Sequence, residues 1–163
     1  MTVDEFADYG VARMDDDAVD RFLAGQRVGV LALPTDGAPS MRPLSYWFDG
    51  DDRLYFLYLT GEGSRKADLS ERAEVARFLV YRADTRFQWR SVLLTGTVTA
   101  VPESERAAVE AAMDLRRRPD ALERASEVEE TALYAFRIDE RTGIQHLGLP
   151  PGFQSEGSET GEE

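Results

Sequence analysis

A short basic stretch after two glycines is the part of this sequence best suited to chemistry. Ser64, Arg65 and Lys66 stand where a strand-like segment ends and a helical pattern begins. A serine hydroxyl can cap the free N–H groups of a first helical turn. That turn carries partial positive charge and normally attracts acidic residues, so two cations there repel each other unless an anion lies among them. The stretch therefore predicts a phosphate-binding cradle. The alternative is that both basic side chains simply point into solvent.

The elements around this cradle are predicted from hydrophobic periodicity and turn residues. A segment that is apolar almost throughout, residues 53–60, leads into the cradle, and a short helix over 67–72 follows it. Further strands are predicted at 28–33, 39–48, 75–81, 89–101 and 132–138, and further helices at 15–25, 103–115 and 121–129.

This order of elements indicates the fold class. About six strands are joined largely by hairpins, and most helices come late in the chain, which favours a mainly β fold built as an antiparallel barrel or curled sheet. A doubly wound parallel sheet would need a helix between successive strands, and the first strands have none. No internal repeat is present.

Several residues predict local features of the strands and helices. Pro43 lacks an N–H and predicts an irregularity or a sheet edge, and Gly96 predicts a bulge in what should be the longest strand, 89–101. The apolar run over 53–60 predicts a strand covered on both faces. In the helix at 103–115, the periodicity places Ala108, Ala112 and Leu115 on one apolar face, with Val109 and Met113 beside them.

Composition bounds the organisation of the chain. Its 163 residues suit one domain, which we place at 15–151 between a surface segment, 1–14, and a disordered acidic tail, 152–163. Cysteine is absent, which excludes thiolate chemistry. No membrane-length apolar run or signal pattern is present, so a cytoplasmic location is expected.

The charge balance is strongly acidic. The formal net charge is -12, with 31 acidic residues, a single lysine and no asparagine. Such a surface argues against binding nucleic acid or an anionic membrane. It is typical of a halophilic archaeal protein, in which salt screens the self-repulsion, or more simply of an acidic protein from a GC-rich genome.

Other candidate functional residues can also be explained by a purely structural role. Tyr46, Trp47 and Trp89 could stack on a planar ligand, although aromatic residues in strands usually belong to the core. His146, the sole histidine, falls in a predicted loop and could ligate haem or transfer protons, but a lone histidine is more often structural. No cluster of residues predicts a metal site.

Several short motifs in this order resemble the pyridoxamine 5′-phosphate oxidase-like, FMN-binding split barrels. The resemblance covers roughly residues 16–140 and is most specific at Ser64-Arg65-Lys66. The other motifs are Phe22-Leu23-Ala24, Gly29-Val30-Leu31-Ala32, Met41-Arg42-Pro43-Leu44, Leu54-Tyr55-Phe56, Val75-Ala76-Arg77-Phe78 and Gly96-Thr97-Val98.

The resemblance implies a six-stranded antiparallel split barrel with flanking helices that binds FMN, commonly between the subunits of a homodimer. By position, Arg42 would reach the flavin phosphate or ribityl chain, and Ser64, Arg65 and Lys66 would hold the phosphate. The backbone near Pro43, Leu44 and Ser45 would line the ring. The remaining implied cofactor contacts are Thr60 and, where the oxidases proper carry glutamine, Ser91.

The chain also departs from the family pattern. The C-terminal tryptophan and arginine segment that binds substrate in true pyridoxamine phosphate oxidases is not found after Ile138. The resemblance therefore implies an FMN-dependent oxidoreductase acting on another small organic molecule, with no catalytic residue assigned. A non-catalytic flavin-binding or sensing module and a reductase that uses a deazaflavin are the alternatives.

Overall fold

A computed structural model describes residues 2–59, 65–113 and 131–148 of the chain. A 3₁₀ helix, Val3–Tyr9, precedes the other elements. The described strands are β1 (Val11–Arg13), β2 (Val28–Leu33), β3 (Ser40–Ser45), β4 (Trp47–Phe48), β5 (Arg53–Leu59), β6 (Ala76–Thr85), β7 (Gln88–Ala100) and β8 (Thr131–Leu147). The described helices are α1 (Asp16–Gly25), α2 (Arg65–Arg72) and α3 (Glu103–Ala112).

One antiparallel sheet contains all of these strands. Its order is β3-β2-β6-β7-β8-β5-β4, and β1 pairs with β8 beside this path. The two edge strands, β3 and β4, are separated in the chain only by Tyr46. Because consecutive segments form opposite edges, the sheet must curl until its edges approach each other. The predicted mainly β split barrel is confirmed.

The strand count differs from the prediction for two physical reasons. The predicted strand 39–48 is divided at Tyr46, where the chain leaves β2 and begins to pair with β5. The N-terminal segment forms β1. Its three residues are too few to show a strand-like alternation of apolar and polar side chains. Pro43 lies in β3, at a sheet edge as predicted.

The last strand is much longer than predicted. β8 has 17 residues, against 13 in β7, so the prediction that 89–101 forms the longest strand is wrong. Residues 139–147 lack apolar alternation, but every one of them from Glu140 to Leu147 pairs with β7. The strand predicted at 75–81 is also longer than expected, since β6 continues to Thr85 before a tight turn.

The predicted bulge at Gly96 is confirmed. Thr95 pairs with Glu140 and Gly96 with Ile138, so Asp139 is an extra residue in β8. A Cβ at Gly96 would lie 1.9 Å from the carbonyl oxygen of Arg137, which no side chain tolerates. The extra residue also reverses which side chains of β8 face outward on either side of the bulge.

Both faces of β5 are covered, as predicted. Leu54, Phe56 and Tyr58 point into the barrel core, while Tyr55 belongs to a second cluster on the outside with Leu133 and Ala135. The largest side chains of the barrel core come from α1 and from strands on every side of the barrel: Phe22, Leu23, Leu54, Phe56, Tyr58, Phe78, Leu94 and Phe136.

Two helices cover openings of the barrel. Asp15 caps α1 by accepting a 2.7 Å hydrogen bond from the Ala18 N–H, and the helix buries Val19, Phe22 and Leu23. An ion pair between Asp20 and Arg141 joins α1 to β8. At α2, the Ser70 hydroxyl hydrogen-bonds the Tyr58 hydroxyl at 2.8 Å inside the core.

Helix α3 covers the second cluster with one side of the apolar surface predicted for it. Val109 and Met113 pack on this cluster, whereas Ala108 and Ala112 are exposed. Arg106 holds α3 against the start of β8, because its guanidinium donates to the Thr131 carbonyl at 2.6 Å; it also forms an ion pair with Glu110 at 2.9 Å. The predicted helix 121–129, the tail and the end of the 103–115 helix lie outside the described residues.

Adding a methyl group at the bulge should be strongly destabilising. We expect Gly96→Ala to lower the free energy of unfolding by at least about 2 kcal/mol, because the new Cβ meets a backbone carbonyl that cannot move without breaking the β7–β8 pairing. Urea unfolding in concentrated KCl measures this change. Gly37→Ala is the matched control, since nothing lies within 4 Å of a Cβ there; an equal loss in both variants would contradict the described register.

Candidate functional site

Strands β3, β2, β6 and β7 present an apolar surface to the outside of the barrel. In β2 and β6, Leu31 and Phe78 are buried cross-strand partners, so their neighbours point outward. Val28 and Tyr81 are 53% and 60% exposed. We call this surface the outer apolar face; it comprises Val28, Val30, Pro43, Leu79, Tyr81 and Leu93.

The predicted site residues of β3 divide between the two sides of that strand. Pro43 pairs with Val30 and Ser45 with Val28, so both belong to the outer side. Leu44 is half-buried against the barrel core. Arg42 is exposed on the edge strand, where its guanidinium donates a 3.0 Å hydrogen bond to the Met41 carbonyl.

Ser91 lies on the same outer side, although it is distant in sequence. It is the cross-strand partner of Tyr81 in the β6–β7 ladder and is half-buried. The structure therefore brings together three of the predicted cofactor contacts, Pro43, Ser45 and Ser91, on one continuous surface of the sheet.

The predicted phosphate cradle is described only in part. Arg65 and Lys66 are the first two residues of α2, and the helix begins where the basic stretch predicts a helix N-terminus. Their side chains, and all of Thr60 and Ser64, lie outside the described residues. The body of α2 is anchored by Ala67 and Leu69, which pack against the barrel core. The cradle therefore stays a prediction.

The three aromatic candidates do not form one site. Tyr46 is buried; its hydroxyl donates a 2.8 Å hydrogen bond to the Leu23 carbonyl, and its ring meets the edge of Phe78. Trp47 packs on Tyr55 under α3, in the second cluster. Trp89 is half-buried at the far end of β7. A planar ligand cannot contact all three.

His146 lies in β8 and not in the predicted loop, because residues 139–147 extend that strand. It is only 7% exposed, and the rings of Phe87 and Trp89 meet it edge-on with centroids at 5.7 and 6.0 Å. Its Nε2 has no hydrogen-bond partner in the described part of the chain. Gly10 covers this nitrogen with a backbone φ of +85°, and a Cβ there would lie 3.1 Å from it.

This enclosure favours a structural role for His146. A haem iron or a substrate proton would need an open approach to the imidazole, and Gly10 closes that approach. Within 2–59, 65–113 and 131–148, no group of three histidine, cysteine or acidic residues could hold a metal ion. No helix in those ranges is long and apolar enough to cross a membrane.

The fold is that of a split-barrel protein, and its sheet exposes an apolar surface on the outside. A sequence model of the pyridoxamine 5′-phosphate oxidase family matches residues 15–145, most of the chain. The chain belongs to this family, as its motifs predict. A search of curated protein sequences found no match.

Solved structures share the fold at low sequence identity. A FAD-binding protein of Mesorhizobium loti is 21% identical, with a TM-score of 0.66 over 84% of this chain and 99% of its own. A FAD-binding protein of Mycobacterium smegmatis is 18% identical, with a TM-score of 0.63 over 84% and 100%. A FAD- and haem-binding protein of the same organism is 19% identical, with a TM-score of 0.64 over 86% and 75%.

Sequence reasoning missed most of the outer apolar face. Leu79, Tyr81 and Leu93 are predicted only as parts of strands. Alternation marks Leu79 and Tyr81 as facing away from the buried Phe78 and Val80 in β6, and Leu93 as facing away from the buried Val92 and Leu94 in β7. That alternation could have identified an exposed apolar side. The extent of the surface depends on strand pairing, which periodicity does not give.

Replacing the imidazole should not weaken the fold. An unpaired buried polar group costs about 1–3 kcal/mol, so we expect His146→Leu to raise the free energy of unfolding by about 1 kcal/mol. The matched variant His146→Gln keeps a buried polar group and should lack this gain. Both are measured by urea unfolding; a loss larger in His146→Leu than in His146→Gln would show that the imidazole holds a needed partner.

Proposed function

We propose that this protein binds a flavin nucleotide, FMN, with the isoalloxazine ring against the outer apolar face. The observation that carries the proposal is the convergence of Pro43, Ser45 and Ser91 on that face beside Val28 and Val30. Family membership supports it. So do the M. loti and M. smegmatis relatives, which are FAD-binding proteins.

The residues present fit the two halves of such a cofactor. A sheet surface that exposes apolar side chains suits a planar aromatic ring, and contiguous exposed apolar patches often mark a binding site. The phosphate would be held by Arg42, Ser64, Arg65 and Lys66, with Thr60 and Leu44 contributing near the ring. Charged donors at a helix N-terminus are well suited to phosphate.

We further propose that the protein is a homodimer formed through the outer apolar face. A valine and a tyrosine more than half exposed in the middle of a sheet need cover from another surface. A second copy of the chain offers the same face, as a two-fold interface requires. The flavin would then lie between the subunits.

The activity proposed is that of an oxidoreductase acting on a small organic molecule. When bound, the flavin supplies the hydride or electron transfer, and the protein positions the substrate over the ring. Pyridoxamine phosphate is disfavoured, because the family's substrate segment is not found after Ile138, where β8 continues instead. A flavin-binding or sensing module without catalysis, and a deazaflavin reductase, are the competing proposals.

Loss of the cradle charge should weaken FMN binding selectively. Charge-assisted hydrogen bonds contribute about 1.5–3 kcal/mol each, so Arg65→Ala should raise the Kd for FMN at least about tenfold. The Kd for riboflavin, which lacks the phosphate, should stay unchanged. Fluorescence titration of the flavin in concentrated KCl measures both, and parallel titration with FAD shows which nucleotide is preferred.

Arg72→Ala is the matched control at the opposite end of α2, where the side chain is exposed. It should leave the Kd for FMN unchanged. Equal affinity of wild type and the Arg65→Ala/Lys66→Ala double variant for FMN would refute the cradle. Reduction of bound flavin by NADH or NADPH, followed by reoxidation with quinones, then separates an oxidoreductase from a binding module.

A charge on the outer apolar face should separate the subunits. Sedimentation in concentrated KCl should give twice the monomer mass of 18.2 kDa for the wild type. Val28→Glu should shift the protein to monomer, because a desolvated carboxylate would lie in the interface. Val75→Glu is the control, since Val75 is equally exposed, 54%, but lies outside the face. A wild-type monomer that binds FMN would rule out a shared site.

A further inference from the structure

A second outer surface of the barrel contains a cleft of about 560 Å³. Its floor is the outward side of β5, β8 and β7, and residues of α2 and α3 line its walls. The outer apolar face lies on the opposite side of the bulge at Gly96 and Asp139, so the two surfaces share only β7. This volume is typical of a small-molecule site.

Two arginines stand side by side on the floor of this cleft. Arg53 of β5 is the cross-strand partner of Arg137 of β8, and Thr97 of β7 is the next residue in the same row. Residues in one row of a sheet point to the same side, and like charges directly opposite each other repel. The arrangement costs stability unless an anion lies between the guanidinium groups.

Neighbouring acids do not remove this repulsion. Arg53 shares a side-chain hydrogen bond with the neighbouring Tyr55, which carries no compensating charge while its hydroxyl is protonated. Asp52 lies 3.6 Å from Arg53 and Asp139 lies 3.2 Å from Arg137, each in an ion pair between side chains about half exposed. Such surface pairs contribute little. Each guanidinium carries five N–H donors in a planar fork that suits a carboxylate or a phosphate, and one contact uses few of them.

Away from the two arginines, the floor of the cleft is apolar, and its helical walls carry acidic residues. Tyr55 and Ala135 form the next row, and Val101 and Val109 follow toward α3. Glu71 and Glu105 line the helical walls, so the acidic residues of the cleft lining lie on the helices and its two arginines lie on the sheet. The distance from the Thr97 row to Val101 along β7 is about 13 Å, enough for one aromatic or aliphatic body.

We propose that this cleft is a second ligand site, separate from the proposed flavin site, that takes a small organic anion. The carboxylate or phosphate of the ligand bridges Arg53 and Arg137, the Thr97 hydroxyl donates to it, and the apolar body lies over Tyr55 and Ala135. In a chain of net charge -12, this pair of sheet arginines concentrates positive charge beside a cavity.

The test compares two anions that contain the same phenyl ring with one neutral analogue. Benzoate, phenyl phosphate and benzyl alcohol are titrated into the full-length protein at one fixed salt concentration, and backbone amide shifts are followed by NMR. We expect benzoate or phenyl phosphate to move the amides of Thr97, Thr99 and Ala135 with saturation, and benzyl alcohol to leave them nearly unmoved. Whichever anion binds more tightly identifies the headgroup.

Variants decide whether the arginines hold the anion. Arg53→Gln/Arg137→Gln should raise the Kd at least about tenfold. Arg82→Gln is the matched control, because Arg82 pairs with Asp84 at 3.1 Å with exposures like those of Arg137 and Asp139, yet lies outside the cleft. Without ligand, Arg137→Gln should melt no lower than wild type, since it relieves repulsion.

Three results would overturn the proposal: no saturable shift at these amides with either anion, equal Kd values for wild type and the double variant, or the same loss in Arg82→Gln. Thr97→Val keeps both charges and should weaken the preferred anion severalfold, which tests the site even if the double variant does not fold. Because the readout is local to β7 and β8, it is independent of flavin binding at the outer apolar face.

Discussion

The fold depends on the point between β3 and β4 where the chain stops pairing with β2, at one edge of the sheet, and begins to pair with β5, at the other edge. Tyr46 occupies that point, and its backbone N–H donates to the Arg27 carbonyl at 2.9 Å while its buried hydroxyl donates to Leu23. Burial raises the pKa of this hydroxyl well above its usual value, so it stays a donor. With the turn held in this way, β3 remains on β2 and β4 on β5, and the barrel curls around Phe78 and its neighbours.

A second constraint acts on the outside of the barrel. The extra residue Asp139 opposite Gly96 reverses the facing of β8, so the odd-numbered side chains of β7 meet different partners on either side of the bulge. Toward Ser91 the outer surface is apolar and extends to β3. Toward Thr97 it carries the arginine pair and is partly covered by α3. One strand thereby contributes to two surfaces of opposite chemistry.

Much of this fold could be predicted from the sequence, and the failures have a common cause. Alternation shows which side of a strand is buried, so the β class, the covered strand β5 and the edge position of Pro43 were predictable. It does not show which strand is the partner. Leu44, Tyr46 and Phe48 all point inward, and the change of partner at Tyr46 leaves no mark in the pattern. His146 and the end of β8 were missed because their cover, Phe87 and Gly10, comes from distant segments.

The candidate site, too, is predictable from the sequence only where it depends on local residues and not on strand pairing. Local chemistry marks the basic helix start at Arg65, whereas the grouping of Pro43 and Ser45 with Ser91 exists only once β3, β2, β6 and β7 are paired. Between Ser45 and Ser91 the face contains apolar residues and Tyr81, and its charged neighbours lie at the rim. A planar ring on this face would bury apolar surface without removing a charged side chain from water. Its phosphate would have to extend past the edge strand β3. Arg42 is exposed on that edge, which is consistent with its proposed contact to the phosphate.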